Sequence, residues 1–341
     1  MELQSFYQNL TGQQWTTMIT FKFAFVVLTN LASLMFLVIN GIIIHTLCSR
    51  PAFRETPRYM LLLNLVVGDS IVLFTAQLLY MYSTANLNLS YPLCGLFIMI
   101  SYLSSQIAPL TLTVMSIERY IAVCFPFHHP TIVTTRNTAF AVLCVWGLGC
   151  VDILVRVLLL LEFPFHLLPS LQMNFYCIST ALLLGPRSKI YETISTVVLF
   201  LFSGLVIASS FIGVMVVAIS ASTDKVSADK ARNTLLLHTF QLSLNLLSTM
   251  GLPIFSSVAV RADQVSSGQL FVVIYVFVVM MPRCLSALTY GLKDPSLRPV
   301  LLSRLCCHLQ ACPNTVTAHT HDLQKKTRPP SAPGCTQTPS L

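Results

Sequence analysis

Ionisable side chains interrupt the apolar segments of this chain at four places. They are Asp69, the neighbours Glu118 and Arg119, the pair Asp152 and Arg156, and Arg283. A charge at the centre of a bilayer costs at least about 2.5 to 3.5 kcal/mol, so charges kept there mark structural ion pairs or working sites. Asp152 and Arg156 lie four residues apart on one helix face, which favours a structural ion pair over a ligand site.

Covalent catalysis is not indicated by these groups. No apolar segment combines a nucleophile, a base and an orienting group, and no cluster with metal-ligand spacing is present. We therefore expect a protein that is not an enzyme and that needs no metal or cofactor.

The composition is that of a membrane protein. Hydrophobic residues make up 55% of the 341 residues and charged residues only 9%, against about 25% charged residues in soluble domains. The net charge of +8 comes from basic residues scattered between apolar runs, so we expect membrane lipid and no nucleic acid as a partner.

Seven stretches are long and apolar enough to cross about 30 Å of hydrocarbon. Helices satisfy all their backbone hydrogen bonds internally, so the sequence predicts an all-α membrane protein with a bundle of seven transmembrane helices. The stretches are Phe23 to Leu47, Tyr59 to Met81, Leu93 to Val123, Thr138 to Leu161, Ile190 to Ser220, Leu235 to Val258 and Leu270 to Leu292.

Basic residues between the spans predict the orientation. Thirteen lie on the side of the C-terminal tail and four on the other side, which places the tail in the cytoplasm and the N-terminus outside the plasma membrane. The glycosylation sequons at Asn9 and Asn88 both fall on the predicted exterior. Asn88 is the poorer acceptor because it lies close to the bilayer.

The expected organisation has four parts. Residues 1–22 form an extracellular N-terminus, 23–292 the transmembrane domain, 293–310 a short amphipathic eighth helix, and 311–341 a disordered cytoplasmic tail rich in Thr, Pro and Ser. Cys306 and Cys307 close the amphipathic helix as candidate palmitoylation sites, with unmodified thiols as the alternative.

The segment Met115–Pro126 resembles the acidic-Arg-Tyr motif of rhodopsin-like G-protein-coupled receptors, in the form found in odorant receptors. The segment Pro282–Asp294 resembles the seventh helix of teleost odorant receptors. Further residues agree with the family pattern in order along the chain: Asn40, Leu65, Asp69, Cys94, Trp146 and Cys177.

The resemblance implies roles for several residues. Glu118 would hold Arg119 in the resting state, and Arg119 would face the G protein when the receptor opens, with Tyr120 completing the motif. A carboxylate beside a guanidinium can neutralise it and release it on protonation; a simple interfacial ion pair is the alternative. Cys94 and Cys177 would form a disulfide between the third helix and the second exterior loop.

The sequence departs from the family pattern in the sixth and seventh helices. Asn-Pro-x-x-Tyr appears as Ser286-Ala287-Leu288-Thr289-Tyr290, so Tyr290 keeps a role in activation while the asparagine and proline are lost. The helix 6 tryptophan is replaced in Gly251-Leu252-Pro253. Pro253 can still bend its helix, but the triggering contact must differ.

A largely apolar cavity with hydroxyl and amide groups is expected for a small neutral or weakly polar molecule. Amine receptors place an aspartate where this chain has Ser101, so a cationic amine has no counter-ion there. Each candidate could equally make an interhelical hydrogen bond. The candidates are Ser101, Tyr102, Ser105, Gln106, Gln77, Tyr80, Phe255 and Tyr275.

Arg283 is the most unusual residue. In related receptors the counterpart of Asp69 holds a sodium ion with help from a helix 3 serine, here Ala108, and a helix 7 asparagine, here Ser286. We hypothesise that Arg283 takes the place of the ion and pairs with Asp69. The alternative is a guanidinium that turns to water or the bundle interior without touching Asp69.

Together these features predict an odorant-type receptor that binds a small organic ligand and activates a heterotrimeric G protein. A rhodopsin-like receptor for a peptide or metabolite outside olfaction is the nearer alternative. A transporter or channel would require inverted repeats or broken helices with charges lining a path, and the sequence has neither.

Overall fold

The computed structural model describes residues 2–85, 87, 89–164, 177, 182–221, 240, 243–244, 246–248, 275–283, 285, 288–289 and 297–309. In this part of the chain, five helices are long and apolar enough to cross a membrane. They are α1 (Glu2–Ser49), α2 (Pro57–Thr84), α3 (Tyr91–Cys124), α4 (Thr135–Leu161) and α5 (Pro186–Ala221).

These helices correspond to the first five predicted spans, with earlier starts. Helix α1 begins at Glu2, although its apolar span begins at Phe23, as predicted. Helices α2 and α5 each begin with a proline, which the first turn tolerates because its N–H groups have no partner within the helix. Thr134 caps α4 by accepting a hydrogen bond from the Asn137 amide at 3.2 Å.

The remaining predicted helices are described only in part. The predicted sixth helix is described at 240, 243–244 and 246–248, which are helical. The seventh contains a π-helix at Tyr275–Met280 that leads into helical residues up to Arg283. A terminal helix, Arg298–Leu309, lies within the predicted amphipathic segment and belongs to a second compact unit, Leu292–Leu341. The predicted disordered tail lies outside the described residues.

Helix α3 is the centre of the bundle and packs against α2, α4 and α5, while α1 packs against α2. Its Ile107 and Leu112 are completely buried. Gly68 of α2 allows this packing, because a Cβ atom there would lie 3.3 Å from the Ile107 side chain.

Large apolar side chains cover the outside of the bundle. Such a surface suits lipid rather than water as the solvent. The most exposed examples on α1, α4 and α5 are Phe23, Phe140, Leu143 and Leu205.

Buried polar side chains join the helices from inside. Asn64 of α2 donates to Thr111 Oγ1 of α3 at 2.8 Å and accepts from Trp146 Nε1 of α4 at 2.8 Å. Asn40 of α1 donates to Ser70 of α2 at 3.2 Å. Polar groups surrounded by hydrocarbon and protein need such partners, so these bonds fix how α1 to α4 face one another.

Candidate receptor site

A disulfide closes the predicted exterior end of the bundle. Cys94, in the first turn of α3, is bonded to Cys177, and their Cα atoms are 5.7 Å apart. Both cysteines are buried in an apolar cluster with Leu79, Ile98 and Leu182. The predicted pairing is present, so Cys177 is held against the start of α3.

The predicted ion pair lies at the C-terminal end of α3, which is the predicted cytoplasmic end. Arg119 Nε is 3.1 Å from Glu118 Oε2. The sequence analysis missed His129, whose Nε2 lies 3.7 Å from the other carboxylate oxygen of Glu118. Glu118 thus faces one permanent cation and one group that becomes a cation on protonation.

Tyr120, the next residue of the motif, packs against α5. A Cβ atom at Gly213 would lie 2.4 Å from the Tyr120 ring, and the Phe125 ring is 5.9 Å away between centroids. The absence of a side chain at 213 thus lets the Tyr120 ring pack directly against α5. Tyr290, the predicted activation residue of the seventh helix, lies outside the described residues.

Asp69 and Arg283 meet inside the bundle. Arg283 Nη1 donates to Asp69 Oδ1 at 2.7 Å, and the two side chains are only 3% and 2% exposed. The hypothesised contact between the second and seventh helices is therefore present. Ala108, where related receptors carry a serine, is buried and has no hydroxyl to offer.

Arg156 of α4 is the hub of a second charged cluster. Its Nε donates to Asp152 Oδ2 at 2.5 Å, as predicted for the i, i+4 pair, and Nη1 binds the Glu192 carboxylate of α5. Nη2 donates to Ser195 Oγ at 3.0 Å, and the Tyr191 hydroxyl donates to Asp152 Oδ1 at 2.8 Å. One guanidinium is bound by two carboxylates, so the described members of the cluster include one more acidic than basic group.

Helix α3 completes this cluster. Gln106 donates an amide hydrogen bond to Asp152, and the Arg156 guanidinium lies over the Tyr102 ring, 4.1 Å from its centroid. A cation over an aromatic face is attracted by the ring quadrupole. Helices α3, α4 and α5 thus share a single network around Arg156.

A small cleft opens beside the network. Of the predicted ligand-contacting residues that the structure describes, Tyr102 lines this cleft. Arg156 and Tyr191 of the network line it as well. The other described lining residues are Met99, Leu159, Leu160, Leu182, Leu183 and Ser188.

The other predicted ligand-contacting side chains have partners within the bundle. Gln77 donates to Asn30 at 2.8 Å and accepts from Ser33 at 2.8 Å, which joins α2 to α1. Ser101 lies 3.0 Å from Thr75 Oγ1.

Two further candidates follow the same pattern. Ser105 donates to the Tyr102 carbonyl at 2.9 Å, and Tyr80 hydrogen-bonds with Thr29. Phe255 and the side chain of Tyr275 lie outside the described residues. The five described candidates that bond within the protein are Gln77, Tyr80, Ser101, Ser105 and Gln106, and Tyr102 lines the cleft.

Sequence reasoning missed the contribution of α5 to the cluster. Tyr191, Glu192 and Ser195 stand in the first turns of an otherwise apolar helix, and an acidic residue there was the available signal. The side chains of Asn9, Asn88, Cys306 and Cys307 lie outside the described residues, so glycosylation and palmitoylation stay predictions.

Comparisons with known proteins agree with this architecture. The chain is 29% identical to odorant receptor 131-2 of Danio rerio over 81% of this chain and 84% of that protein. It is 25% identical to olfactory receptor 1M1 of Mus musculus over 78% and 85% of the two chains. A shorter segment, 29% of each chain, is 30% identical to lysophosphatidic acid receptor 6 of Mus musculus.

Residues 39–314 match the family described as 7 transmembrane receptor (rhodopsin family). Members of this family are signalling receptors and not enzymes, which agrees with the expectation from the sequence. The match covers most of the chain, including α2 to α5, the disulfide and both charged clusters. The chain is a multi-pass membrane protein and belongs to the rhodopsin family of seven-transmembrane receptors.

Proposed function

We propose that this protein is an odorant-type receptor that binds a small organic molecule within the helix bundle and activates a heterotrimeric G protein. The observation that carries the proposal is the Glu118–Arg119 pair, 3.1 Å apart at the end of α3. The names of the relatives, an odorant receptor and an olfactory receptor, support the ligand class.

The pair stabilises the closed state of the receptor and separates in the open state. In the resting state Glu118 neutralises Arg119. An agonist that binds the open state more tightly than the closed state shifts the population toward the open state. Arg119 is then available to the G protein at the cytoplasmic face.

The proposed orientation places the receptor in the plasma membrane with its N-terminus outside and its tail in the cytoplasm. The excess of basic residues on the tail side supports this orientation. Asn9 is then accessible to glycosylation, and Cys306 and Cys307 lie on the side where palmitoylation occurs.

Arg119→Ala is the test of the signalling role. We expect agonist-evoked cAMP to be lost while surface expression is mostly retained, because Arg119 is partly exposed and outside the apolar core. Arg136→Ala, an exposed basic residue at the start of α4, is the matched control and should signal normally. Agonist-evoked cAMP at the normal level in Arg119→Ala would contradict the proposal.

The Asp69–Arg283 pair takes the place of a bound sodium ion in this proposal. A guanidinium 2.7 Å from the carboxylate supplies the positive charge that an ion would otherwise supply. We therefore expect agonist affinity in the unmodified receptor to be the same in sodium chloride and in choline chloride of equal ionic strength. A selective loss of affinity in sodium would show that an ion still enters the pocket.

A receptor for a metabolite or peptide outside olfaction is the second candidate. The similarity to lysophosphatidic acid receptor 6 supports this candidate, but it covers only 29% of the chain. The similarity to the odorant receptor covers 81% of the chain. Expression in olfactory tissue would favour the first candidate.

A further inference from the structure

The Tyr120 ring lies directly on the backbone of α5. A Cβ atom at Gly213 would overlap Tyr120 Cε2 and would lie 3.0 Å from Cδ2 and 3.6 Å from Cζ. Cβ atoms in real proteins essentially never come within 3.0 Å of another heavy atom. The ring therefore occupies the space that a side chain at 213 would need.

The ring has a second aromatic contact that a displacement would break. Phe125 packs edge-on against Tyr120, with ring centroids 5.9 Å apart and ring planes at 69°. Such pairs are more favourable than their buried area alone accounts for. The other glycine of α5, Gly204, differs, because a Cβ atom there would lie 3.6 Å from Leu246 Cδ2, which is an ordinary contact. Of the two glycines of α5, Gly213 is the one whose surroundings a side chain would disturb.

Tyr120 connects this contact to the Glu118–Arg119 pair. The three residues are consecutive on α3, and consecutive helical residues point about 100° apart. Glu118 faces Arg119 at 3.1 Å and His129 of the following connection at 3.7 Å, while the Tyr120 ring faces α5. The ion pair and the aromatic contact therefore belong to one arrangement of the C-terminal end of α3.

We propose that Gly213 is a positioning residue of the closed state: it admits the Tyr120 ring onto α5 and so keeps Arg119 beside Glu118. This role rests on the proposed function and adds the regulation of the same site. In the open state α5 moves away from the end of α3, and the ring leaves Gly213. A side chain at 213 removes the contact from the closed state and costs the open state nothing, so the population shifts toward the open state.

The test compares Gly213→Ala with Gly204→Ala in the full-length receptor. Both variants add one methyl group and the same helix propensity to α5, but the methyl group at 213 meets Tyr120, whereas the one at 204 has room. We expect cAMP in the absence of agonist, per receptor at the cell surface, to rise about fivefold or more in Gly213→Ala. It should stay unchanged in Gly204→Ala.

Hydrogen exchange gives a readout that needs no G protein. In the purified receptor in nanodiscs, the backbone amides of residues 115–125 should exchange faster in Gly213→Ala than in the unmodified chain, because the end of α3 loses a packing contact. Exchange in this segment should be unchanged in Gly204→Ala.

Two backgrounds at position 120 locate the effect. Tyr120→Phe keeps the ring atoms Cδ2 and Cε2, so Gly213→Ala should act in this background as it does in the unmodified receptor. Tyr120→Ala removes the ring, so Gly213→Ala should have no further effect on exchange there, as expected for one shared contact. If Gly213→Ala alone lowers surface expression, Tyr120→Ala should restore it, because the overlap is gone.

The outcomes separate the two proposals. Equal exchange and equal basal cAMP in the two glycine variants would overturn the role of Gly213. An effect of Gly213→Ala that persists in Tyr120→Ala, or a loss of surface expression that Tyr120→Ala does not restore, would overturn it as well. Faster exchange in Gly213→Ala, without agonist-evoked cAMP in the unmodified receptor, would leave that role standing and remove the signalling function. Signalling that depends on Arg119, with identical results for the two glycine variants, would do the reverse.

Discussion

Among the residues that the structure describes, two arginines lie inside the transmembrane bundle, and they are stabilised in different ways. Arg283 faces Asp69 at 2.7 Å, a partner 214 positions away in the sequence. Arg156 binds two carboxylates and a serine hydroxyl, and its guanidinium also lies over the Tyr102 ring. At the first site a carboxylate and a guanidinium bind each other directly, whereas at the second site one guanidinium is bound by several groups. We therefore expect the same substitution to cost more at the first site.

The largest effect is expected for Asp69→Asn and for Arg283→Ala. Each removes one side of the buried Asp69–Arg283 ion pair, and breaking such a pair costs about 3 to 5 kcal/mol. The amount of folded receptor at the cell surface should fall strongly in both variants, and Tm of the purified receptor should fall with it. Surface expression near the normal level in either variant would show that the pair contributes little to stability.

A charge exchange sharpens the same comparison. Asp69→Arg combined with Arg283→Asp restores one positive and one negative charge at the contact, so part of the lost surface expression should return. The recovery is expected to be incomplete because the two side chains differ in length and would have to repack. If the double variant is no better than the single ones, position-specific packing rather than charge pairing decides stability here.

A smaller effect is expected for Asp152→Asn, the same change made in the network. Glu192 still neutralises Arg156, and an amide oxygen can still accept one hydrogen bond. The variant also leaves one acidic and one basic group among the described members of the cluster. We expect a loss of about 1 to 2 kcal/mol, within the range for a hydrogen bond to a charged group, measured as Tm beside Asp69→Asn. A loss as large as that of Asp69→Asn would break the comparison.

The five described spans could be predicted because a membrane helix is determined by length and apolar composition alone. The Asp69–Arg283 contact could be predicted through the resemblance to related receptors, which places Arg283 in the pocket of Asp69 where two sodium ligands are missing, because a buried carboxylate there needs another cation. Glu192 was missed because its contact with Arg156 depends on how α4 and α5 are rotated, and side-chain packing sets that rotation.

The ligand-contacting residues show where sequence reasoning stops. Gln77 and Ser101 have the polar groups that a ligand site needs, but in the structure they bind neighbouring helices. A hydroxyl or amide in an apolar bundle takes the nearest partner, and the sequence does not say whether that partner is a ligand or a helix.

The disulfide at Cys94 restrains the N-terminal end of α3, so that α3 can tilt around this end. Arg119 lies 25 residues further along the same helix (119 − 94), which corresponds to about 37 Å at a rise of about 1.5 Å per residue. A tilt of about 3° around the Cys94 end would move the Arg119 end sideways by about 2 Å. At that end the Tyr120 ring already packs beside Gly213 of α5, so a tilt of α3 toward α5 would press this ring against α5.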